Sequence, residues 1–282
     1  MAIARSASTA VGILMGSTGL AEEPRVGQPG KDVMWVATHA RLVERMLDLA
    51  KLTDKDFLID LGSGDGVIVI AAARRGARAL GIEYNAGLVD LARRRAAEAG
   101  AGGRAVFEQA DLFKSDFSAA TVVTMYLTED LNMRLRPRLL ALKPGTRILS
   151  QPFRLGDWVP DDSVTITSFR TLLAPFIGSK DNCFFRCTAY LWIVPAQVAG
   201  RWHSEQGTLA LRQLFQVVSG TAEHGGQALP ITEGRLRGSE VRFKAGATAY
   251  AGTVAGRLIT GTSSAGGVSK PWSARRIDQV AE

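Results

Sequence analysis

The sequence predicts an α/β fold with a doubly wound, mostly parallel sheet, followed by a small all-β barrel or sandwich. Between residues 56 and 152, apolar runs of strand length alternate with helix-like runs, which is the pattern of βαβ units. A glycine-rich turn joins the first of these strands to the first helix. From about Gly200 short alternating runs separated by glycines take over, and these indicate antiparallel strands. The 282 residues suffice for two such units.

The α/β part is assigned to residues 31–198. Thr38 is expected to cap a helix from His39 to about Lys51, because apolar residues recur there at helical spacing. Two further strands, at 164–167 and 190–194, are expected as an antiparallel edge. The remaining elements are strands at 56–61, 78–83, 104–109, 121–127 and 146–152, and helices at 67–76, 86–100 and 129–142.

Residues 199–282 are predicted to form an all-β meander. Turns are expected at Ser219-Gly220, Gly225-Gly226 and Gly266-Gly267. No nucleophile-elbow pattern occurs in this part of the sequence, so a binding or stabilising role is expected for it. Its strands are expected at 208–218, 234–238, 240–244, 249–254, 258–262 and 272–276.

Residues 1–30 form a leader of ambiguous character. Its one early positive charge, its apolar run at 10–16 and the small residues before Glu22 have the layout of a secretory signal, but the run is short and broken by glycine. The run is also too short to span a bilayer. A signal or membrane-associating segment, a disordered leader and an unused start codon all remain open. A cytoplasmic or membrane-associated location is favoured over export.

The only cysteines, Cys183 and Cys187, are expected to be either free thiols or a short-range disulfide. With no third or fourth ligand nearby they make a poor zinc site, and no metal is expected. The formal net charge of +7 is modest, and no basic-aromatic alternation typical of RNA binding occurs, so nucleic acid is not the expected partner.

The run Asp60-Leu61-Gly62-Ser63-Gly64-Asp65-Gly66 indicates a nucleoside-cofactor site. Its glycines follow G-x-G-x-G, whereas a dinucleotide fingerprint is G-x-G-x-x-G. Asp65 would repel a pyrophosphate. S-adenosylmethionine has no phosphate, and the carboxylates of Asp60 and Asp65 suit its positively charged end. The run therefore favours S-adenosylmethionine over NAD.

Acidic residues also end the next two predicted strands. Glu83, followed by Tyr84, is placed to accept both ribose hydroxyls, although Glu83 alone would fit NAD equally well. Asp111 can accept from the adenine amino group, beside the apolar Leu112. Because the carboxyl ends of parallel strands share one edge of the sheet, these acids and the glycine loop are expected to converge on one ligand.

Residues 31–198 resemble the Rossmann-like class I S-adenosylmethionine-dependent methyltransferases. They are most similar to the ATP synthase c-subunit lysine methyltransferase-like group and its bacterial relatives. The more group-specific stretch is LNMRLRPRLLALKPG, at 131–145. The resemblance implies cofactor contacts at Asp60, Gly62, Gly64, Glu83 and Asp111. It also implies that a segment containing Trp35 and Thr38 closes over the cofactor.

The resemblance further implies methyl transfer, with a protein lysine amine as the expected acceptor. The segment after the fourth strand normally faces the methyl group, and it reads Met125-Tyr126-Leu127-Thr128-Glu129. It lacks the Asn/Asp-Pro-Pro-Tyr/Phe motif of enzymes that methylate base amino groups. Tyr126 can hydrogen-bond an incoming amine and Glu129 can orient it. The alternative is that Tyr126 is a core residue and Glu129 favours the helix dipole.

Two other classes of function stay open at this point. One is a methyltransferase for a small molecule or a nucleic acid. The other is a non-enzymatic binding protein that keeps the fold.

Overall fold

The computed structural model describes Arg25, Gln28 and residues 31–167, 186–224 and 226–277. The helices are α1 (Ala40–Leu49), α2 (Val67–Arg74), α3 (Ala86–Glu98) and α4 (Glu129–Leu140). The first seven strands are β1 (Phe57–Leu61), β2 (Arg78–Glu83), β3 (Ala105–Gln109), β4 (Val122–Met125), β5 (Arg147–Ser150), β6 (Asp162–Thr167) and β7 (Arg186–Ile193). The last eight are β8 (Gly200–Ser204), β9 (Gly207–Leu214), β10 (Val217–His224), β11 (Gln227–Arg237), β12 (Glu240–Ala245), β13 (Thr248–Ala255), β14 (Leu258–Ala265) and β15 (Val268–Arg276).

The first seven strands form one sheet in the order β3-β2-β1-β4-β5-β7-β6. Strands β1 to β5 are parallel, and β7 runs antiparallel to both β5 and β6. The chain order reverses between β1 and β4, the place where ligands bind in doubly wound sheets. The predicted fold class is confirmed for this part of the chain.

Helices cover both faces of the sheet. One face packs against α1, α2 and α3, and the other against α4 and a group of large buried side chains that includes Phe117, Trp158 and Trp192. The sheet strands supply alternate residues to the two cores: Leu58 of β1 joins the first and Ile59 the second. This alternation follows from the two-residue period of a strand.

The cap of α1 differs from the expectation. His39, rather than Thr38, is the N-cap, and its Nδ1 accepts a hydrogen bond from the Arg41 amide at 3.1 Å. The Thr38 hydroxyl instead accepts from the Gln151 side-chain amide at 2.7 Å. Asn85 caps α3 in the usual way, since its side chain accepts from the Leu88 amide at 3.2 Å.

Strands β8 to β15 close into a barrel in the order β10-β11-β12-β13-β14-β15-β8-β9. The predicted small all-β unit is therefore a barrel and not a sandwich. Side chains fill its interior. Phe243 stacks on Tyr250 with a centroid distance of 4.7 Å, Trp272 meets both rings edge-on, and Trp202 is fully buried.

Two details of the predicted meander were wrong. The run 208–218 spans parts of two strands, β9 and β10, which turn at Phe215-Gln216, and Ser219-Gly220 lies within β10 at a bulge instead of in a turn. Gly220 has a φ of +132°, and a Cβ there would overlap the Ala210 carbonyl oxygen, so the close approach of β9 requires glycine. Strand β8 was not predicted.

The two units meet at the turn between β9 and β10. The Phe215 ring stacks on Trp158 with a centroid distance of 5.8 Å, and the Arg136 guanidinium of α4 lies 5.4 Å from the Phe215 centroid. The Gln216 side chain donates to the Val159 carbonyl at 2.6 Å, and Arg235 of β11 forms an ion pair with the buried Asp161 at 2.8 Å. Apolar stacking and polar pairing thus join the barrel to the sheet.

Cys187 lies in β7 and is disulfide-bonded, which excludes the free-thiol alternative for this residue. Cys183, Gly225 and nearly all of the leader prediction lie outside the described residues. In the part of the chain that the structure describes, no helix combines the length and apolar character that a membrane crossing requires. The same residues contain no group of three or more metal-ligating side chains.

Replacing Phe215 with alanine should destabilise the protein by about 2 kcal/mol, because loss of the ring leaves a cavity against Trp158. Leu214→Ala is the matched control, since Leu214 adjoins the same turn but is exposed. Urea unfolding followed by tryptophan fluorescence measures both. Equal stability of the two variants would contradict the role assigned to Phe215.

Candidate functional site

The glycine loop follows β1 directly and is held by the neighbouring strand. The amides of Gly62 and Ser63 both donate to the Ile82 carbonyl of β2, at 2.8 and 3.0 Å. Gly64 has a φ of +52°, and a Cβ there would lie 2.6 Å from Nε1 of Trp35. The loop can therefore adopt this path, with an indole ring against it, only if residue 64 has no side chain.

Asp60 is buried at the base of the loop. Its Oδ1 accepts a hydrogen bond from the Thr124 hydroxyl of β4 at 2.7 Å. Burial raises the pKa of this carboxyl to about 7; the Thr124 hydrogen bond opposes the shift, and the negative charges of Glu83 and Asp65 add to it. Asp60 is thus poised to become fully ionised when a positive group arrives beside it.

Glu83 ends β2 and joins two loops. Its Oε2 accepts from the Gly64 amide at 3.0 Å and its Oε1 accepts from the Asn85 amide at 2.9 Å. A carboxylate can accept about four hydrogen bonds, so each oxygen keeps capacity for one more donor. Two adjacent hydroxyls, as on a ribose, match that capacity.

Asp111, after β3, is paired with a residue that sequence reasoning missed. The Lys31 ammonium lies 2.8 Å from Oδ2 of Asp111 and 5.0 Å from the centroid of the Tyr84 ring. The hydrogen bond from Lys31 lowers the pKa of Asp111, and the Phe113 amide, which donates to Oδ1 at 3.0 Å, lowers it further. An adenine amino group would therefore share or replace Lys31 as the donor.

Residues 31–38, here called the strap, form one wall of the site. The Trp35 ring lies against Gly64, and the Thr38 hydroxyl accepts a hydrogen bond from Gln151, which follows the end of β5. The strap thus crosses from the Asp111 end of the site to the end beside β5. Nothing in the local sequence of the strap signals Lys31, because its partner is 80 residues away.

These elements enclose one cleft, whose empty space is about 910 Å³ with its open mouth included. Most of the predicted cofactor residues line it: Trp35, Thr38, Asp60, Gly62, Ser63, Gly64, Asp65, Glu83, Tyr84, Asp111 and Leu112. Apolar walls that were not predicted come from Val67, Ile68, Leu127 and Leu131.

Two of the predicted cofactor residues have other contacts. Gly66 is not among the lining residues; a Cβ there would lie 2.7 Å from the Phe107 ring, so its role is close packing of α2 on the sheet. Asp65 does line the cleft, but its carboxylate forms an ion pair with Arg95 of α3. Its charge is therefore partly neutralised.

The two residues predicted to be catalytic lie in different places. Tyr126 follows β4 and lines the cleft, and burial raises the pKa of its phenol, which keeps it neutral. Glu129 is the first residue of α4, where it is exposed and not among the lining residues. Its position suits the helix dipole, which was the alternative considered for it.

The charge pattern fits an adenosyl sulfonium compound. Asp60 offers a carboxyl for a positive group, Glu83 offers acceptors for a diol, and Asp111 offers an acceptor for an amino group. The hydroxyl oxygen of Ser63 is buried at the loop, against Gly81, without a hydrogen-bond partner among the described residues. Together with the strand order, this site defines a class I S-adenosylmethionine-dependent methyltransferase.

Comparison with known proteins agrees with this class. The family model of the ANTKMT methyltransferase domain matches residues 60–162. A protein-lysine N-methyltransferase of Saccharolobus islandicus is 39% identical over 137 residues, which is 48% of this chain and 85% of that protein. The chain belongs to this family of methyltransferases, and its cofactor is S-adenosylmethionine. The resemblance inferred from the sequence is thereby confirmed.

Two further known proteins are each similar to part of the chain. The ATP synthase c-subunit lysine N-methyltransferase of Mus musculus is 41% identical over 105 residues, and the match spans 37% of this chain and 42% of that protein. A crystal structure of an RNA methyltransferase from Salinibacter ruber with S-adenosylhomocysteine is 44% identical, covers 58% of this chain and 96% of that one, and has a TM-score of 0.49.

The affinity for S-adenosylmethionine should increase as the pH rises through about 7. A cation beside Asp60 favours the ionised form, so the pKa of Asp60 is lower in the complex than in the free protein, and binding releases a proton. We expect binding about tenfold weaker at pH 6 than at pH 8. Calorimetry in buffers of different ionisation enthalpy measures the affinity and the number of protons released on binding. Asp60→Asn should lose this slope; an equally steep slope in that variant would refute the assignment.

Glu83→Gln should weaken cofactor binding by about 1 to 3 kcal/mol, since a hydroxyl and the Gly64 amide would each lose a charged acceptor. Glu108→Gln is the control, because Glu108 is an exposed residue of β3 that does not line the cleft. Titration with S-adenosylhomocysteine gives both affinities. The role of Glu83 would be refuted if the two variants bound equally well.

Proposed function

We propose that the protein transfers a methyl group to the side-chain amine of a lysine in a protein substrate. The observation that carries the proposal is the similarity to the Saccharolobus islandicus protein-lysine N-methyltransferase, at 39% identity over 85% of that protein. The mouse relative named for the same type of reaction matches over 42% of its own length, so the identity of the substrate protein is not transferred from it.

The residues of the site have separate tasks in this proposal. Asp60, Glu83 and Asp111 bind the cofactor at its charged end, ribose and base, and Trp35 of the strap contacts the loop from the other side. The cofactor supplies a methyl group activated by its sulfonium. Because the leaving group is already activated, the protein contributes mainly by positioning the acceptor in line.

The acceptor amine has to be neutral to act as a nucleophile. Leu127 and Leu131 present apolar surface beside Tyr126, and desolvation by such surface lowers the pKa of an amine. The Tyr126 oxygen can accept a hydrogen bond from the amine and orient its lone pair. With its raised pKa, Tyr126 stays a neutral phenol, so the proton leaves to water and not to this residue.

Tyr126→Phe should lower kcat for lysine methylation by about ten- to a hundredfold while leaving cofactor affinity unchanged, because only the orienting hydroxyl is lost. Tyr250→Phe makes the same chemical change inside the barrel and should have normal kcat. Transfer of a labelled methyl group to peptides, with the modified residue located by mass spectrometry, measures kcat for both variants.

The acceptor class is tested with the full chain and a cell lysate. Label from methyl-tritiated S-adenosylmethionine should become soluble after protease treatment, resist nuclease, and map to lysine. Label that is released by nuclease, or that partitions with small molecules, would contradict the proposal.

A further inference from the structure

The basic residues of the barrel are sorted by position. Each of its eight arginines lies in the part of a strand or turn nearest the end that contacts the methyltransferase domain, whereas both lysines, Lys244 and Lys270, lie toward the other end. The arginines are Arg201, Arg212, Arg235, Arg237, Arg242, Arg257, Arg275 and Arg276. In the described part of the barrel, Glu240 lies at the arginine-rich end, and Glu233, which borders the same depression as Arg242, forms an ion pair with Lys244. Glu205 and Glu223 lie further away.

On one side of the barrel the arginines surround an apolar pair. Leu214 of β9 and Val217 of β10 face each other across the strands, 64% and 53% exposed. Val217 is also paired with Arg235 of β11, and Arg235 with Arg242 of β12. Because side chains alternate along a strand, these four residues face outward together.

The same surface continues across β9 to β8. Arg212 is two residues before Leu214 and so shares its face, and Arg201 of β8 is paired with Ala210, two residues before Arg212. Arg201 and Arg212 border one shallow depression in the barrel wall. We call the six residues Arg201, Arg212, Arg235, Arg242, Leu214 and Val217 the arginine face.

Most of the charge on the arginine face is unneutralised. Arg235 is paired with Asp161, but Arg201, Arg212 and Arg242 are exposed and have no ion-pair partner among the described residues. Adjacent cations repel one another, and the exposure of leucine and valine side chains to water is unfavourable. A partner with negative charge around an apolar layer would relieve both costs.

We propose that the arginine face docks on an anionic phospholipid bilayer. The guanidinium groups would pair with lipid phosphates, for which their forked geometry is suited, while Leu214 and Val217 would enter the headgroup layer. The observations favour a bilayer over a nucleic acid. Bases are usually bound by exposed aromatic rings, and in the described barrel the rings of Trp202, Phe243, Tyr250 and Trp272 are buried inside. This inference is independent of the acceptor proposed above.

The experiment is co-sedimentation of the full chain with phosphatidylcholine vesicles, with and without about one-third phosphatidylglycerol. Binding should require the anionic lipid and weaken as salt is raised from about 50 to about 500 mM. The triple variant Arg201→Gln, Arg212→Gln, Arg242→Gln should lower the partition coefficient about fivefold for each arginine.

A matched control distinguishes the effect of the arginine face from the effect of the overall net charge. The triple variant Lys55→Gln, Arg94→Gln, Lys270→Gln also takes the formal charge from +7 to +4, but it removes exposed cations elsewhere and should bind vesicles within about twofold of the parent protein. Leu214→Ser with Val217→Ser should reduce vesicle binding without changing its salt dependence. Circular dichroism and cofactor titration show that each variant is folded.

Three outcomes would overturn the proposal. The first is equal losses in the arginine triple variant and the control triple variant. The second is binding to neutral vesicles that the serine variant does not change. The third is no vesicle binding together with tight binding of RNA, or of an acidic peptide, that the first triple variant abolishes.

Discussion

The two hydrogen bonds that Glu83 accepts hold the cofactor site in shape. They tie the Gly64 amide of the loop after β1 to the Asn85 amide at the start of α3, so one carboxylate fixes two neighbouring strand ends. They add to the bonds that the Gly62 and Ser63 amides donate to the Ile82 carbonyl, and together these bonds restrain glycines whose backbone is intrinsically free. Trp35 lies against the same loop at Gly64. The carboxylate that offers acceptors for a diol is therefore also the group that shapes the cleft.

Like charges are concentrated in the cleft before any ligand binds. Asp60 and Glu83 converge there because the strands they end are adjacent and parallel. Burial keeps Asp60 partly protonated near neutral pH by raising its pKa, Arg95 compensates Asp65, and Lys31 compensates Asp111. The free protein thus limits the repulsion by protonation of Asp60 and by the ion pairs of Asp65 and Asp111. A cation at the Asp60 end replaces a proton, which couples cofactor binding to pH.

The barrel is fixed to the sheet on the side away from the cleft. Contacts at Phe215, Gln216 and Arg235 meet the start of β6 and the helix α4, whereas the cleft lies at the carboxyl ends of β1, β2 and β4. The barrel interior is filled by aromatic side chains, which leaves its outer wall for contact with a partner. A chain built in this way can separate the chemistry of methyl transfer from attachment to another surface.

Local sequence patterns suffice to predict the sheet and the residues at its carboxyl edge. Strand ends are local features, and parallel strands bring their ends together, so Asp60, Glu83 and Asp111 could be placed in one cleft from spacing alone. Tyr126 could be placed beside them for the same reason. The choice of S-adenosylmethionine also followed locally, because the third glycine arrives one residue early and an acid stands inside the loop.

The pairing of side chains across long stretches of chain, in contrast, depends on how the elements pack together. Lys31 forms an ion pair with Asp111, which is 80 residues away in the sequence, and Gln151 donates a hydrogen bond to Thr38, which is 113 residues away. Phe215 stacks on Trp158 in the other domain. The position of Leu214 and Val217 between the arginines of neighbouring strands likewise depends on strand register. Periodicity states which way a side chain points relative to its own strand, but the distance between two remote side chains depends on how the whole backbone is packed.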